Sequence, residues 1–542
     1  MTRTPSLALT ADKPAYGADE PPHDATEPPH DATEPSHGGA APLSWASGPV
    51  DGLLADAARA HPARVAIRTT DTEITYAELD AAATRWAGTL HRVFDEPPGT
   101  VAVAQALDPR FPAVYYGILR AGGTAAVVNP LLPAPVLAHV LRLSRARLAV
   151  VPAALHERLL PLLDTLPDLR RVFVLGEAPG TDDHDDHEDR GRPRVTPADE
   201  DRAVLLFTSG STGVPKAVQL SHRNIKVNAA QMAAAHRVTS ASTVLLHLPI
   251  YHPMHMNTAV SMAATQVLCT DPRPAAAVGL ADRTAATHYY TFPVRLLELA
   301  AAPELPSLRM DTVSLMASGG TAVPPGVVRT LTDAFGLQLL QGYGMCETSS
   351  LASSDDLDAP RPGSVGVALD GSRIRVVDPE SGRVLPADEI GEIQIHGPHV
   401  MQGYLDHRGP SPVDADGWLA TGDMGHLDAD GYLFMFDRVK DAFRCGGELV
   451  SPTAVERRLH AHPAVRDCAV IAGPDAELGA STVAFVALQE DGDGDLDALV
   501  ASVNADLTAG QRIRRVEVLP VIPRLATGKV AKEELRVRLA GV

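Results

Sequence analysis

Cysteine is scarce in this chain of 542 residues: Cys269, Cys346, Cys445 and Cys468 are scattered, with no C-x-x-C pair among them. That excludes a disulfide framework and a thiolate zinc site, and it fits a reducing compartment. Long apolar runs are lacking too, so no segment is expected to cross a bilayer. The N-terminus has no apolar signal-peptide core, and the expected location is the cytoplasm. Positive charge is in deficit: 47 Lys and Arg against 67 Asp and Glu leave a formal charge of −20. Non-specific binding to nucleic acid or to an anionic membrane surface is excluded by that sign. What remains is 45% hydrophobic and 21% charged, ordinary for a globular protein and long enough for two or more domains.

Two stretches are too polar to build a core. Residues 1–42 are rich in proline and carry a seven-residue repeat, Glu20-Pro21-Pro22-His23-Asp24-Ala25-Thr26, then Glu27 to Thr33, then a broken copy at Glu34-Pro35-Ser36-His37. Such sequence buries too little apolar surface to offset its ordering entropy, so a disordered Pro/His-rich tail is expected. Residues 182–189 read D-D-H-D-D-H-E-D and are expected to form a surface loop. Metal binding by either stretch has no fixed geometry to support it.

The most informative stretch is 208–216, T-S-G-S-T-G-V-P-K. Glycines let a backbone approach a polyphosphate, hydroxyls donate to it, and the lysine offsets its charge. The G-x-x-x-x-G-K-[ST] spacing of a Walker loop is absent. Apolar runs at 203–207 and 217–220 predict a strand on each side, so the loop joins two strands rather than capping a helix. Upstream, 101–104 reads as strand, 111–120 as helix, 125–128 as strand and 135–143 as helix, an alternation that predicts an α/β architecture with a largely parallel sheet.

The loop's spacing resembles the phosphate loop of the adenylate-forming superfamily: acyl-CoA synthetases, peptide-synthetase adenylation domains and luciferases. Further motifs follow in order from about residue 43 to the C-terminus, closest in look to coumarate-CoA ligase-like acyl-CoA synthetases. The resemblance implies a large α/β domain over 43–437, a hinge at 438–440 with Lys440 as its pivot, and a small mobile α+β domain over 441–542. It also implies ATP and Mg²⁺, with CoA or a carrier-protein phosphopantetheine as acceptor. No carrier domain follows Lys529, so a carrier is expected to act in trans.

Residue by residue, the resemblance puts Thr208, Ser209, Gly210, Ser211, Thr212, Gly213 and Lys216 on the β- and γ-phosphates. Gln341-Gly342-Tyr343-Gly344-Met345-Cys346-Glu347 resembles the family's Y-G-x-T-E motif, which implies Tyr343 on adenine, Gly344 within the ATP site, residue 346 at the α-phosphate and Glu347 on Mg²⁺. Cys346 departs from the pattern, because a thiol is a poorer donor than a hydroxyl. The departure reads as tolerated drift, as an altered first step, or as a nucleophile without an obvious base beside it. Asp423, in Ala420-Thr421-Gly422-Asp423, and Arg438 match the ribose contacts. Lys529, in Pro523-Arg524-Leu525-Ala526-Thr527-Gly528-Lys529, matches the lysine that bridges the substrate carboxylate and the α-phosphate.

The acid and acceptor sites are outlined less sharply. Leu248-Pro249-Ile250-Tyr251-His252 resembles the family's L-P-x-F-H segment, with His252 between ATP and acid. Met254, Asn257 and Thr258 would face the acyl pocket, Ser318, Gly319 and Gly320 would wall it, and Gly342 would form its base. Methionines fill apolar space adaptably, which suits an aromatic or medium acyl group and equally suits plain core. Gly446, Gly447 and Leu449 match the segment lining a pantetheine tunnel. Leu449 is a second departure, since many relatives carry Asn or Gln there.

The expected activity is adenylation of a carboxylic acid with pyrophosphate release, then transfer of the acyl group to CoA or a carrier thiol. A divergent enzyme of natural-product biosynthesis, activating nitrite to diazotise an aryl amine or using an amine acceptor, is the alternative that Cys346 and Leu449 keep open. Against a non-catalytic binding protein stands the presence of Lys216, Glu347, Asp423, Arg438 and Lys529 together.

Overall fold

Alternating apolar positions on single strands sort into different cores. Leu246, Tyr290 and Ala317 pack into one, while their neighbours Leu245, Tyr289 and Met316 pack into another. That division requires a sheet covered on both faces, which is why these strands read as continuous apolar runs rather than as alternation. The computed structural model describes residues 47–94, 96–176, 196–208, 214–489, 495–524 and 530–541. The repeat of the N-terminal tail, the acidic run at 182–189, Ser209, Gly210, Ser211, Thr212, Gly213 and Lys529 lie outside the described residues.

Two large sheets carry the fold. In the seven-stranded sheet, Arg202–Thr208, Thr124–Val128, Thr100–Ala104, Leu148–Val151 and Arg171–Val174 run parallel, with Lys216–Ser221 and Gly403–Tyr404 added antiparallel at one edge. In the nine-stranded sheet, Leu339–Tyr343, Leu315–Gly319, His288–Thr291, Thr243–His247, Thr265–Leu268 and Val65–Arg68 are parallel, with antiparallel strands at both edges. The strands and helices expected from the alternation at 101–143 are all present, as Thr100–Ala104, Phe111–Arg120, Thr124–Val128 and Ala134–Ser144.

The largest core lies between the sheets. Leu54, Leu79, Phe111, Ile225 and Met256, from the helices Asp51–Ala60, Tyr76–Val93, Phe111–Arg120, His222–Ala235 and Pro253–Ser261, meet strand residues of both sheets there. A second core covers the far face of the nine-stranded sheet with Ala277, Leu296 and Leu331, and a third covers the far face of the seven-stranded sheet with Leu137 and Leu155. The result is helix, sheet, helix, sheet and helix in layers.

Beyond these layers the antiparallel strands Arg373–Val377, Gly391–His396, Trp418–Leu427 and Leu433–Arg438 form a sheet of four. The remainder is a smaller α+β portion: a hairpin of Phe443–Cys445 with Glu448–Val450, a three-stranded sheet, and the helices Pro452–His460, Leu496–Ala505 and Lys532–Ala540. Its apolar residues form two cores of their own. Gly446 and Gly447, at φ +59° and +89°, make the two-residue turn of that hairpin. Only glycine adopts both angles without strain, so their placement is explained by the turn itself.

Candidate active site

Parallel strands deliver their carboxyl ends to one edge of a sheet, and ligands of open α/β folds gather there. Thr208, Gly319 and Tyr343 each close a parallel strand, and His252 follows closely on Thr243–His247. Segments far apart in sequence therefore arrive together.

The 208–216 segment does join two strands. Thr208 and Lys216 are cross-strand partners, and Lys216 Nζ lies 4.6 Å from the centre of the Tyr404 ring. The Tyr404 hydroxyl donates to Glu347 Oε1 at 2.6 Å. Glu347 is buried, and burial lifts its carboxyl above the usual range, with the Tyr404 bond and the Lys216 charge acting the other way. Its backbone oxygen accepts from Met401 N at 2.9 Å, which fixes the carboxylate's base. Tyr404 was missed in the sequence. Its short strand, Gly403–Tyr404, has no motif of its own and gains its role by pairing with Lys216–Ser221.

A second group forms around Asp423. It stands directly opposite Arg438 across two antiparallel strands, with Arg438 Nε 3.3 Å from Oδ1. The Tyr343 hydroxyl donates to Oδ2 at 2.7 Å. Burial and the adjacent carboxylate push the Tyr343 phenol well up, so it remains a donor. The strand just before Asp423 is held by Glu392 Oε1, which accepts from Gly422 N at 3.1 Å. Glu392 is a second positioning residue that no sequence signal marked.

The Y-G-x-x-E segment turns sharply. Ser349 and Ser350 have φ +55° and +116°, and a Cβ on Gly344 would meet the Ser350 carbonyl oxygen at 1.7 Å. Gly344 is thus required by close approach of backbone to backbone. Cys346 is partly buried and opens the short turn Cys346–Thr348.

His252 caps the helix Pro253–Ser261, its Nδ1 accepting from Met254 N at 3.2 Å. Burial lowers its pKa to about 4. A neutral ring with Nδ1 accepting carries its proton on Nε2, which is then a donor. The Asn257 amide is held at both ends: Oδ1 accepts from Tyr116 OH at 2.7 Å and Nδ2 donates to Tyr115 OH at 3.2 Å. Met254 is partly buried against the main core, and Thr258 is buried with Oγ1 unpartnered among the described residues. Gly342 and Gly319 are cross-strand partners, and Gly320 follows at φ +93°. Ser318 alternates onto the face shared with Met316, away from Gly342.

Lys440 is exposed two residues beyond Arg438. Leu449 is half-buried opposite Arg444 in the hairpin that Gly446 and Gly447 turn. Glu448 anchors that hairpin, accepting from Gly510 N at 2.8 Å. Among the described residues no group of three or more His, Cys, Asp or Glu side chains is placed to hold a metal. The lone carboxylate of Glu347 suits Mg²⁺, which keeps several waters and binds through one or two carboxylates plus substrate phosphates.

Known proteins resemble this chain in sequence and fold. The family described as AMP-binding enzyme matches residues 54–405, and its C-terminal domain matches 454–529. Feruloyl-CoA synthase of an Amycolatopsis species is 31% identical over 491 residues, spanning 89% of this chain and 97% of the relative. 4-Coumarate–CoA ligase 4 of Arabidopsis thaliana is 27% identical over 504 residues, 86% of each chain. ATP-bound MatB from Rhodopseudomonas palustris superposes with a TM-score of 0.78 at 27% identity, over 90% of this chain and 98% of that one.

Proposed function

The chain belongs to the AMP-binding enzymes and is an AMP-forming ligase, and we propose that it converts an aryl or medium-chain carboxylic acid to its acyl-adenylate and passes the acyl group to the thiol of CoA or of a carrier protein. The observation that supports this reading is the convergence of Lys216, Tyr404 and Glu347 with Tyr343, Asp423 and Arg438 from three different sheets. The relatives' names point the same way, being CoA ligases of aryl acids.

On this reading each residue has its part. Asp423 accepts from the ribose hydroxyls, and Arg438 holds its orientation. Tyr343 presents a ring to adenine while its hydroxyl stays on Asp423. Lys216, the Thr208 hydroxyl and the loop between them take the β- and γ-phosphates, charge meeting charge. Glu347 would hold Mg²⁺, an ion that would supply positive charge to the phosphates. His252, neutral and donating from Nε2, orients the acid's carboxylate between the nucleotide and the acyl pocket.

A carboxylate oxygen attacks the α-phosphorus, the bond to pyrophosphate breaks, and acyl-AMP forms. Lys529, matched to the bridging lysine, would offset charge on both reacting groups. A thiol then attacks the acyl carbon, AMP leaves with the electron pair, and the thiol proton passes to solvent. Most of the acceleration comes from positioning and fixed electrostatics, as in other phosphoryl and nucleotidyl transfers. The second step is assigned to the portion 441–542, pivoting near Lys440, with Gly446, Gly447 and Leu449 beside the incoming thiol.

The test is pyrophosphate release with ATP and Mg²⁺ across aryl and fatty acids, with nitrite plus an aryl amine as one arm. Release with a carboxylic acid, followed by CoA-dependent thioester formation, is expected. Release with nitrite alone would overturn the carboxylic-acid reading.

A further inference from the structure

Beside the motif segments lies a small, partly open cavity of about 10 Å³, lined in part by Leu206, Asn228, Pro253, Met254, Ser349 and Ser350. Its volume admits one heavy atom and no ring. Its walls continue the motif segments: Leu206 precedes Thr208 by two residues, Pro253 and Met254 follow His252, and Ser349 and Ser350 follow Glu347.

Two polar atoms on this wall are buried without a partner among the described residues, Asn228 Oδ1 and Ser350 Oγ. Asn228 is 2% exposed. Its amide nitrogen is held by Leu351 O at 2.8 Å, which fixes the orientation of the side chain and leaves its oxygen as an acceptor. Ser350 carries a hydroxyl at a φ of +116°, a backbone angle that side chains other than glycine's rarely adopt. Strain of this kind persists where surrounding structure imposes it, and it collects at ligand-contacting sites. Here it sits on the turn that ends the Y-G-x-x-E segment. Of the other lining residues, Asn257 and Ser349 are polar and already hydrogen-bonded, to Tyr115, Tyr116 and the His399 carbonyl, and the rest are apolar, among them Met254, a side chain flexible enough to yield to a substrate.

We propose that Asn228 and Ser350 form a specificity niche for a single hydroxyl or amino group on the acid substrate, away from its carboxylate. Asn228 Oδ1 accepts a hydrogen bond from that group, and the Ser350 hydroxyl donates to it or accepts from it. A methyl of the same size fills the space and leaves both polar atoms unpaired, which is the strong form of discrimination between near-isosteres. This inference rests on the acid-adenylating reading of the site.

The test uses the full chain and matched benzoic and cinnamic acids bearing 4-hydroxy, 4-amino or 4-methyl groups. Calorimetry measures binding of each in the presence of a non-hydrolysable ATP analogue, and ATP–pyrophosphate exchange measures turnover separately. The hydroxy or amino member of a pair is expected to bind at least about tenfold more tightly than its methyl analogue. Asn228→Leu and Ser350→Gly are each expected to bring that ratio near one by weakening the polar ligand rather than the methyl one. Ser350→Gly removes the hydroxyl while suiting the backbone angle, so its fold is expected to hold even if that of Asn228→Leu does not. Preference for the methyl analogue, a ratio unchanged in Ser350→Gly, or no binding by either member of any pair would overturn the niche, as a water fixed in the cavity would predict. Loss of exchange with the binding ratio intact would count against the adenylating reading and leave the niche standing.

Discussion

Asp423 and Arg438 face each other across neighbouring antiparallel strands, and the carboxylate between them is shared with Tyr343, whose hydroxyl lies 2.7 Å from the other oxygen. One acceptor thus ties the Y-G-x-x-E segment to the strand that leads into residue 440.

Asp423→Asn keeps the shape and removes the charge. Hydrogen bonds to charged groups are worth about 1.5–3 kcal/mol, so the ATP concentration for half-maximal pyrophosphate exchange is expected to rise by about 10- to 100-fold. Exchange kinetics over a range of ATP would show it. An unchanged ATP dependence would remove Asp423 from the nucleotide site.

Glu347 is expected to cost stability in its charged form. Burial raises its carboxyl, so the fold favours the proton. The stability linked to that proton is present at low pH and is lost as pH rises through the raised folded value. Glu347→Gln should therefore unfold at higher temperature than the wild type at pH 8. The gain would be about 1.4 kcal/mol for each unit by which the carboxyl is raised, and it should vanish near pH 4. Adenylation should fall by about a hundredfold or more for want of the metal ligand. Equal unfolding temperatures at pH 8 would contradict the burial argument.

Buried histidines set the acid limit. His222, His252 and His399 are lowered to about 4 and His236 to about 3, each chiefly by burial. Depressed values give stability that is present above the unfolded value of about 6.5 and is lost as pH falls through the folded values. The unfolding free energy from urea titrations should drop between pH 6.5 and 4, by about 1.4 kcal/mol per pH unit for each histidine. His222 Nδ1 accepts from Val50 N at 3.0 Å, an acceptor role that Asn can take over. His222→Asn should reduce the slope by one proton's share, and a slope identical to wild type would be evidence against this account.

Lys529→Ala should abolish pyrophosphate release with any acid while thermal unfolding is unchanged. Substantial acid-dependent release would end its assignment as the bridging residue. Cys346→Thr, which restores a hydroxyl donor, should preserve or raise adenylation if the thiol is drift. A large loss would show that the thiol has a function of its own.

Tyr404 and Glu392 show where sequence reading stopped. Nothing local distinguishes either residue. Tyr404 matters because its strand pairs beside Lys216, and Glu392 because its carboxylate reaches Gly422 N. Gly446 and Gly447 were read as the lining of a tunnel, and the structure explains both glycines by a hairpin turn. Asn257, expected to face the acyl pocket, lines the same cavity as Met254, and the structure adds the two tyrosine hydroxyls that hold its amide. The partners of Asn257 lie 141 and 142 residues away and Gly422 lies 30 residues from Glu392, separations that motif spacing does not encode.

The amino-acid sequence by itself determined the α/β class, the strand–loop–strand around 208–216 and the identities of Tyr343, Glu347, Asp423 and Arg438, because apolar periodicity and motif order are local properties of the chain. The tertiary structure alone decided that Asp423 pairs with Arg438, that Tyr404 joins Lys216 to Glu347, and that Asn228 meets Ser350 at one cavity. Register across strands and the close packing of helices between sheets bring these groups together, and both depend on contacts between residues far apart along the chain.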